Sequence, residues 1–289
     1  MTGTLTLRGR TFGPGEFAIM AIVNRTPDSF YDKGATFGFE VALERVATVV
    51  EQGAHIVDIG GVKAAPGVEV TVEEEIERTV PFVAAVRAAY PELIISVDTW
   101  RHEVGDAVCR AGADLLNDAW GGADPQLADV AARHQVGIVC THAGGLSPRV
   151  RPHRIAYDDV VGEVRDYIVA LAERAVSLGA PRESVIIDPA HDFGKNTYHS
   201  LELTRRLDAL VGTGWPVLVS LSNKDFVGET LGLPVDQRLI GTLAATSACA
   251  LQDARVYRVH NVVETRQTLE MIASIRGDRP PARTVRGLV

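Results

Sequence analysis

The feature that most constrains this chain is a repeated pattern: short, β-rich apolar runs, each followed by a longer amphipathic stretch. The runs are AIMAIV (18–23), HIVDIGG (55–61), LIISVD (93–98), DLLND (114–118), GIVCTHA (137–143), VIIDP (185–189), WPVLVSLS (215–222) and VYRVHN (256–261). Between them, EVALERVATVVEQG (40–53), TVEEEIERTVPFVAAVRAAY (71–90) and DVVGEVRDYIVALAERAVSLG (159–179) read as helices. In the last, Val160, Val164, Ile168, Leu171 and Ala175 recur at the spacing of one helix face. Gly53, Gly112 and Gly179 each close a helical pattern shortly before the next strand. Continuous apolar strands alternating with helices belong to a parallel sheet buried on both faces. Eight of them within 289 residues favour a closed (β/α)8 TIM barrel, an α/β fold, over an open doubly wound sheet. No GxGxxG follows the first strand, which argues against dinucleotide binding. Residues 1–17 read as a short hairpin capping the barrel floor, 18–275 as the barrel, and 276–289 as a flexible tail. No internal repeat and no second domain is expected.

Charge and composition remove other classes. The net charge is −8 and there is no basic block, so a nucleic-acid partner is not expected. The three cysteines, Cys109, Cys140 and Cys249, are far apart and form no CxxC pair, which suits reduced, buried thiols. The N-terminus lacks an apolar signal core, and no apolar run approaches the ~20 residues of a membrane span. A soluble, cytoplasmic protein without a membrane partner is expected.

Every strand candidate ends in polar groups. In order these are Asn24, Asp58, Asp98, Asn117 with Asp118, His142, Asp188, Ser222 with Lys224, and Arg258 with His260. In a barrel these ends converge on the C-terminal face, where active sites are built. A single carboxylate there is commonly a helix N-cap, but a set drawn from all the strands points to a ligand. Two buried carboxylates, Asp98 and Asp188, suit a planar molecule rich in N–H donors. Lys224, Arg258 and His260 suit an anion or a ring carbonyl.

The stretches NRTPDSFYDKG, VDIGG, SVDTWR, LLNDAWGG, THAGG, DPAHDFGK, SNKDFVG and RVHNV, in this order, resemble dihydropteroate synthases over residues 18–265. The resemblance implies a (β/α)8 barrel that joins 6-hydroxymethyl-7,8-dihydropterin diphosphate to p-aminobenzoate in folate biosynthesis. Mg²⁺ assists departure of the diphosphate, no organic cofactor takes part, and the enzyme is usually a homodimer. Carried over by position, Asp98 and Asn117 match residues that bond the pterin ring edge. Asp188 matches the carboxylate that grips its amino group and ring N–H. Lys224 matches the lysine on the ring carbonyl and ring nitrogen, and Phe193 the aromatic bordering the pocket. Asn24, Arg258 and His260 match the diphosphate and Mg²⁺ ligands, Asn24 meeting the metal through the diphosphate. If catalysis survives, Asn24, Lys224, Arg258 and His260 are the residues expected to carry it.

The departures from the family pattern cluster in the loops. Where the family reads Glu-Ser-Thr-Arg-Pro-Gly after VDIGG, this chain has Val62, Lys63, Ala64, Ala65, Pro66, Gly67. The Thr and Arg expected to hold the diphosphate are thus both Ala. Ser-Arg-Lys-Ser becomes Ser222, Asn223, Lys224, Asp225, which puts a negative charge where the p-aminobenzoate carboxylate is received. Asp225 is expected to cap the helix that follows and repel that carboxylate. Met-His-Met becomes Thr141, His142, Ala143, and Gly-Ile-Gly becomes Ala190, His191, Asp192. Arg25 replaces a small aliphatic residue of the family, in a stretch that resembles the synthase's first mobile loop. Hydrogen bonds to charged groups contribute roughly 1.5–3 kcal/mol each, so losing the Thr and Arg contacts weakens diphosphate binding by about 10²- to 10⁴-fold.

The sequence therefore favours a dihydropteroate synthase homologue with a retained pterin pocket and little or no synthase activity. The expected ligand is pterin-like, or of the sulfone or sulfonamide type. The alternatives are a working synthase with drifted loops and a transferase acting on a different anionic substrate. For the latter, Lys63, Arg25 and the basic stretch Arg149, Arg151, His153, Arg154 would receive the anion. A folate-methyl transferase domain fits TPDSF and SNKDF less well.

Overall fold

A computed structural model of the chain describes residues 3–24, 38–63, 67–145, 147–149 and 156–286. Strands β1 (Leu5–Leu7) and β2 (Arg10–Phe12) form an antiparallel hairpin. The remaining strands are β3 (Ala18–Asn24), β4 (Ile56–Gly60), β5 (Ile94–Asp98), β6 (Leu115–Asp118), β7 (Gly137–Thr141), β8 (Val185–Asp188), β9 (Leu218–Val219) and β10 (Val256–Val259). They make one sheet in the order β8-β7-β6-β5-β4-β3-β10-β9, with parallel pairs throughout. A parallel bridge from Ile187 to Val217, with the Ile187 N–H donating to the Pro216 carbonyl at 3.0 Å, joins β8 to the start of β9. This closes the expected (β/α)8 barrel.

Side chains alternate across a strand, so each strand sends one set inward and the other against the helices. Met20, Ile56, Ile94, Leu115, Val139 and Ile186 pack inside the barrel against Leu5, Leu7 and Phe12 of the hairpin. The hairpin thus plugs the floor, as expected. Two residues further along, the inward positions turn polar on six strands, as Asp58, Ser96, Asn117, Thr141, Asp188 and, after Val256, Arg258, while β3 keeps the apolar Ile22. The floor is apolar and the mouth is polar, so a ligand has one way in.

The helices that lie between and beyond the strands are α1 (Phe39–Glu51), α2 (Val72–Ala89), α3 (His102–Ala111), α4 (Leu127–His134), α5 (Val160–Ser177), α6 (Thr197–Arg205), α7 (Asp208–Val211), α8 (Asp225–Leu231), α9 (Leu239–Leu251) and α10 (Val262–Arg276). Helix α2 starts with a capping box: Thr71 Oγ1 accepts the Glu74 N–H at 3.2 Å, and Glu74 Oε2 accepts the Thr71 N–H at 3.0 Å. Such a cap contributes about 1 kcal/mol. On α5, Val160, Val164, Ile168 and Ala175 are buried, as their spacing requires, and Leu171 lies at the edge of the core. Gly112 ends α3 with φ of 110°, a conformation that favours glycine. Among the described residues, no helix is long and apolar enough to cross a membrane.

Candidate functional site

The floor of the mouth is organised by Asp58. It is fully buried and accepts hydrogen bonds from Ser96 Oγ at 2.6 Å, Asn117 Nδ2 at 3.2 Å and Arg258 Nε at 2.6 Å. Arg258 also donates through Nη2 to Asp98 Oδ2 at 3.0 Å. One arginine from β10 therefore crosses the barrel to β4 and β5. Two of its five donors are thus engaged by carboxylates. Burial raises the Asp98 carboxyl to about 7, with the other carboxylates adding to the shift and Arg258 opposing it. Asn24, half-buried at the end of β3, pairs in register with Gly60.

The loop after β8 forms one wall. Asp188 is buried and accepts the Ala190 N–H at 2.7 Å, and burial raises its carboxyl above the usual range. Ala190 and Asp192 have φ of 49° and 69°, the left-handed region that glycine occupies at least cost. These are the two positions where the resembled family carries glycine, so the backbone keeps that shape with less suited residues. Lys195, buried, staples the loop: Nζ donates to the carbonyls of His142 at 2.9 Å, Phe193 at 2.8 Å and Ala190 at 3.2 Å.

Lys224 stands just before α8. Its Nζ donates to the His191 carbonyl and lies 4.6 Å from the Phe193 ring centroid. Burial pushes its ammonium below the usual lysine value. Phe193 meets Trp120 edge-on at 5.5 Å, and Trp120 meets Trp100 at 6.3 Å, which gives the mouth an aromatic rim. His260 lies beyond β10, its Nδ1 3.0 Å from Ser222 Oγ, while its carbonyl accepts from Arg45 Nη2 at 2.8 Å. Burial, then Arg258, Arg45 and Lys224, hold its imidazole at about 3, so it is neutral near pH 7.

The expected helix cap by Asp225 is corrected. Its side chain is 64% exposed and pairs with Arg238 Nη1 at 2.8 Å; the helix-start N–H of Phe226 is taken by Asp192 Oδ2 at 3.2 Å. Asp192 also accepts from Ser200 Oγ at 3.1 Å. Asn223, with φ of 56°, is buried; its N–H donates to Thr242 Oγ1 at 3.1 Å and its carbonyl accepts from Arg238 at 3.0 Å. Val62 is buried and Lys63 half-buried at the start of the loop after β4. Arg25, Ala64, Ala65, Arg151, His153 and Arg154 lie outside the described residues. Arg149 donates to the Val68 carbonyl at 2.8 Å.

His191 is a buried group that sequence pattern did not assign. Its ring stacks on Phe226 at 5.6 Å, Nε2 lies 3.1 Å from Thr204 Oγ1, and Nδ1 has no hydrogen-bond partner among the described residues. Burial first, then Lys224 and Lys195, hold its pKa well below the usual histidine value. In the unfolded chain it protonates near pH 6.5, so the stability of its neutral form is complete above that pH and is lost below it at about 1.4 kcal/mol per unit. His191→Leu is expected to remove that contribution to the slope between about pH 6 and 5, and urea unfolding at both ends checks it. An unchanged slope would place the acid response elsewhere.

A buried parallel barrel whose polar mouth combines carboxylates, an amide, a lysine and an aromatic rim is suited to a flat, nitrogen-rich ring. The family model for pterin binding enzymes matches residues 20–260. A Mycobacterium leprae (strain TN) protein named "Inactive dihydropteroate synthase 2" is 58% identical over 286 residues, covering 98% of each chain. A Synechocystis sp. (strain ATCC 27184 / PCC 6803 / Kazusa) dihydropteroate synthase is 38% identical over 84% of this chain and 85% of its own. The structure of Yersinia pestis dihydropteroate synthase in complex with a sulfonamide drug superposes with a TM-score of 0.89 at 33% identity, covering 96% of this chain and 100% of that one. The chain belongs to the pterin-binding enzyme family, among the dihydropteroate synthases and their homologues.

Proposed function

We propose that this protein binds a pterin-like ring but carries little or no dihydropteroate synthase activity. The observation that carries the reading is the contrast at the mouth. Asn117, Asp188, Lys224 and Phe193 stand together at the polar mouth, while Arg258 is already paired with Asp58 and Asp98. In this reading Asp188 accepts the ring amino group and N–H, Asp98 and Asn117 meet the opposite edge, and Lys224 donates to the ring carbonyl. Phe193 borders the ring face. Asn24 and His260 face the anion with weakened help, since positions 64 and 65 are Ala. Asp192 on the Phe226 N–H and Asp225 beside it disfavour the carboxylate of p-aminobenzoate. The relative named an inactive synthase supports this reading.

Mg²⁺ fits only as a companion of the diphosphate. Asn24 offers a single neutral amide, whereas Mg²⁺ takes an octahedron of oxygens that carboxylates, phosphates and water supply. Sulfone and sulfonamide compounds are included in the proposal as ligands of the same mouth, as is a cytoplasmic location. A homodimer is included as well: α9 and α10, which pack together, leave Ile240, Leu251, Met271 and Ile275 exposed.

A turnover assay with the pterin diphosphate, p-aminobenzoate and Mg²⁺ tests the reading. No product above the enzyme-free background is expected. A rate comparable with that of the Synechocystis synthase, run alongside, would overturn it.

A further inference from the structure

We propose that Thr141 is a specificity-determining residue of this pocket, and that its hydroxyl receives one N–H of an exocyclic amino group on the bound ring. The inference rests on the pocket reading above and goes beyond it by assigning β7 a contact and the ligand a required group.

The placement follows from register. Val139 belongs to the apolar cluster inside the barrel, so Thr141, two residues on, also points inward. Asn117 pairs with Val139 on one side of β7, and Thr141 pairs with Asp188 on the other. A flat molecule that reaches both Asn117 and Asp188 must pass β7, and Thr141 is the inward residue of β7 at the mouth. Thr141 is 2% exposed, and its Oγ1 has no hydrogen-bond partner among the described residues. The neighbouring polar groups differ in this respect: Ser96 and Asn117 both donate to Asp58. An orphaned buried hydroxyl carries an uncompensated desolvation cost until something bonds it.

The chemistry of the pair suits one kind of partner. Asp188 accepts, and the Thr141 hydroxyl beside it can accept as well. A group that donates to both brings two hydrogens on one atom, which is what a primary amino group on an aromatic ring offers. A ring with hydrogen or a carbon substituent there would leave the hydroxyl orphaned.

The test compares Thr141→Val, a near-isosteric change, with the unsubstituted chain, by calorimetric titration with 6-hydroxymethylpterin and with its 2-deamino analogue. Thr141→Val is expected to weaken the pterin by about tenfold, the worth of one hydrogen bond, and to leave the deamino analogue unchanged. The ligand-free variant is expected to melt about 2 °C higher, because an orphaned polar group is gone. Equal pterin binding, or an equal loss for both ligands, overturns the inference. So does a lower melting temperature with binding intact, the mark of a hydroxyl that serves only the fold. If the unsubstituted chain binds neither ring, the pocket reading fails and this inference falls with it.

Discussion

The double substitution Ala64→Thr with Ala65→Arg is expected to tighten binding of the pterin diphosphate by about 10²- to 10⁴-fold. Two hydrogen bonds to a charged group supply the gain. The affinity for the pterin alcohol, which has no phosphate, is expected to stay within roughly twofold, since substitutions away from a contact leave it nearly untouched. The two titrations together isolate the anion site from the ring site. Turnover is a separate matter, because in the proposed reading Asp192 and Asp225 still disfavour the carboxylate of the other substrate. An equal gain for both ligands would mean that positions 64 and 65 act through the order of the loop and not through the diphosphate.

The second large effect lies beneath the site. Asp58→Ala is expected to destabilise the fold by about 3–5 kcal/mol, because it removes a fully buried carboxylate that holds the half-buried guanidinium of Arg258. Ser96 and Asn117 lose their acceptor in the same step. Asp225→Ser, by contrast, is expected to change stability by no more than about 1 kcal/mol, since the Asp225 carboxylate is largely exposed and Arg238 keeps its bonds to the Asn223 and Leu233 carbonyls. Urea midpoints measure both. If Asp58→Ala is as stable as the parent, Arg258 is not held by Asp58 and is available to an anion, which would weaken the case for an inactive synthase.

How much of this was legible in the sequence depended on the range of the interaction. Strands buried on both faces show as continuous apolar runs, so β3 to β8 and β10 were readable to within a few residues. The run 215–222 was read too long: the observed strand is Leu218–Val219, and the chain leaves the ladder before Ser220. The C-terminal strand ends were also readable, because polarity changes there abruptly. Pairing across the barrel was not. Arg258 and Asp58 are 200 residues apart, and only closure of the sheet brings them to 2.6 Å. The same limit explains Asp225, read as a cap because it opens α8. Asp192 arrives from the preceding βα loop and takes the Phe226 N–H instead. Lys195 gave a signal through its motif but not its task, since its acceptors are mostly backbone carbonyls. Thr141 and His191 stood out only as changes from a family pattern; their unpartnered atoms required coordinates.

The central claim is that the ring pocket survives while the grip on the diphosphate does not. Calorimetric titration of the unsubstituted chain, with Mg²⁺ present, against the pterin alcohol and then its diphosphate tests it most directly. The account predicts that the alcohol binds and that the diphosphate adds less than about tenfold, or 1.4 kcal/mol. A diphosphate that binds hundreds of times more tightly than the alcohol would contradict it.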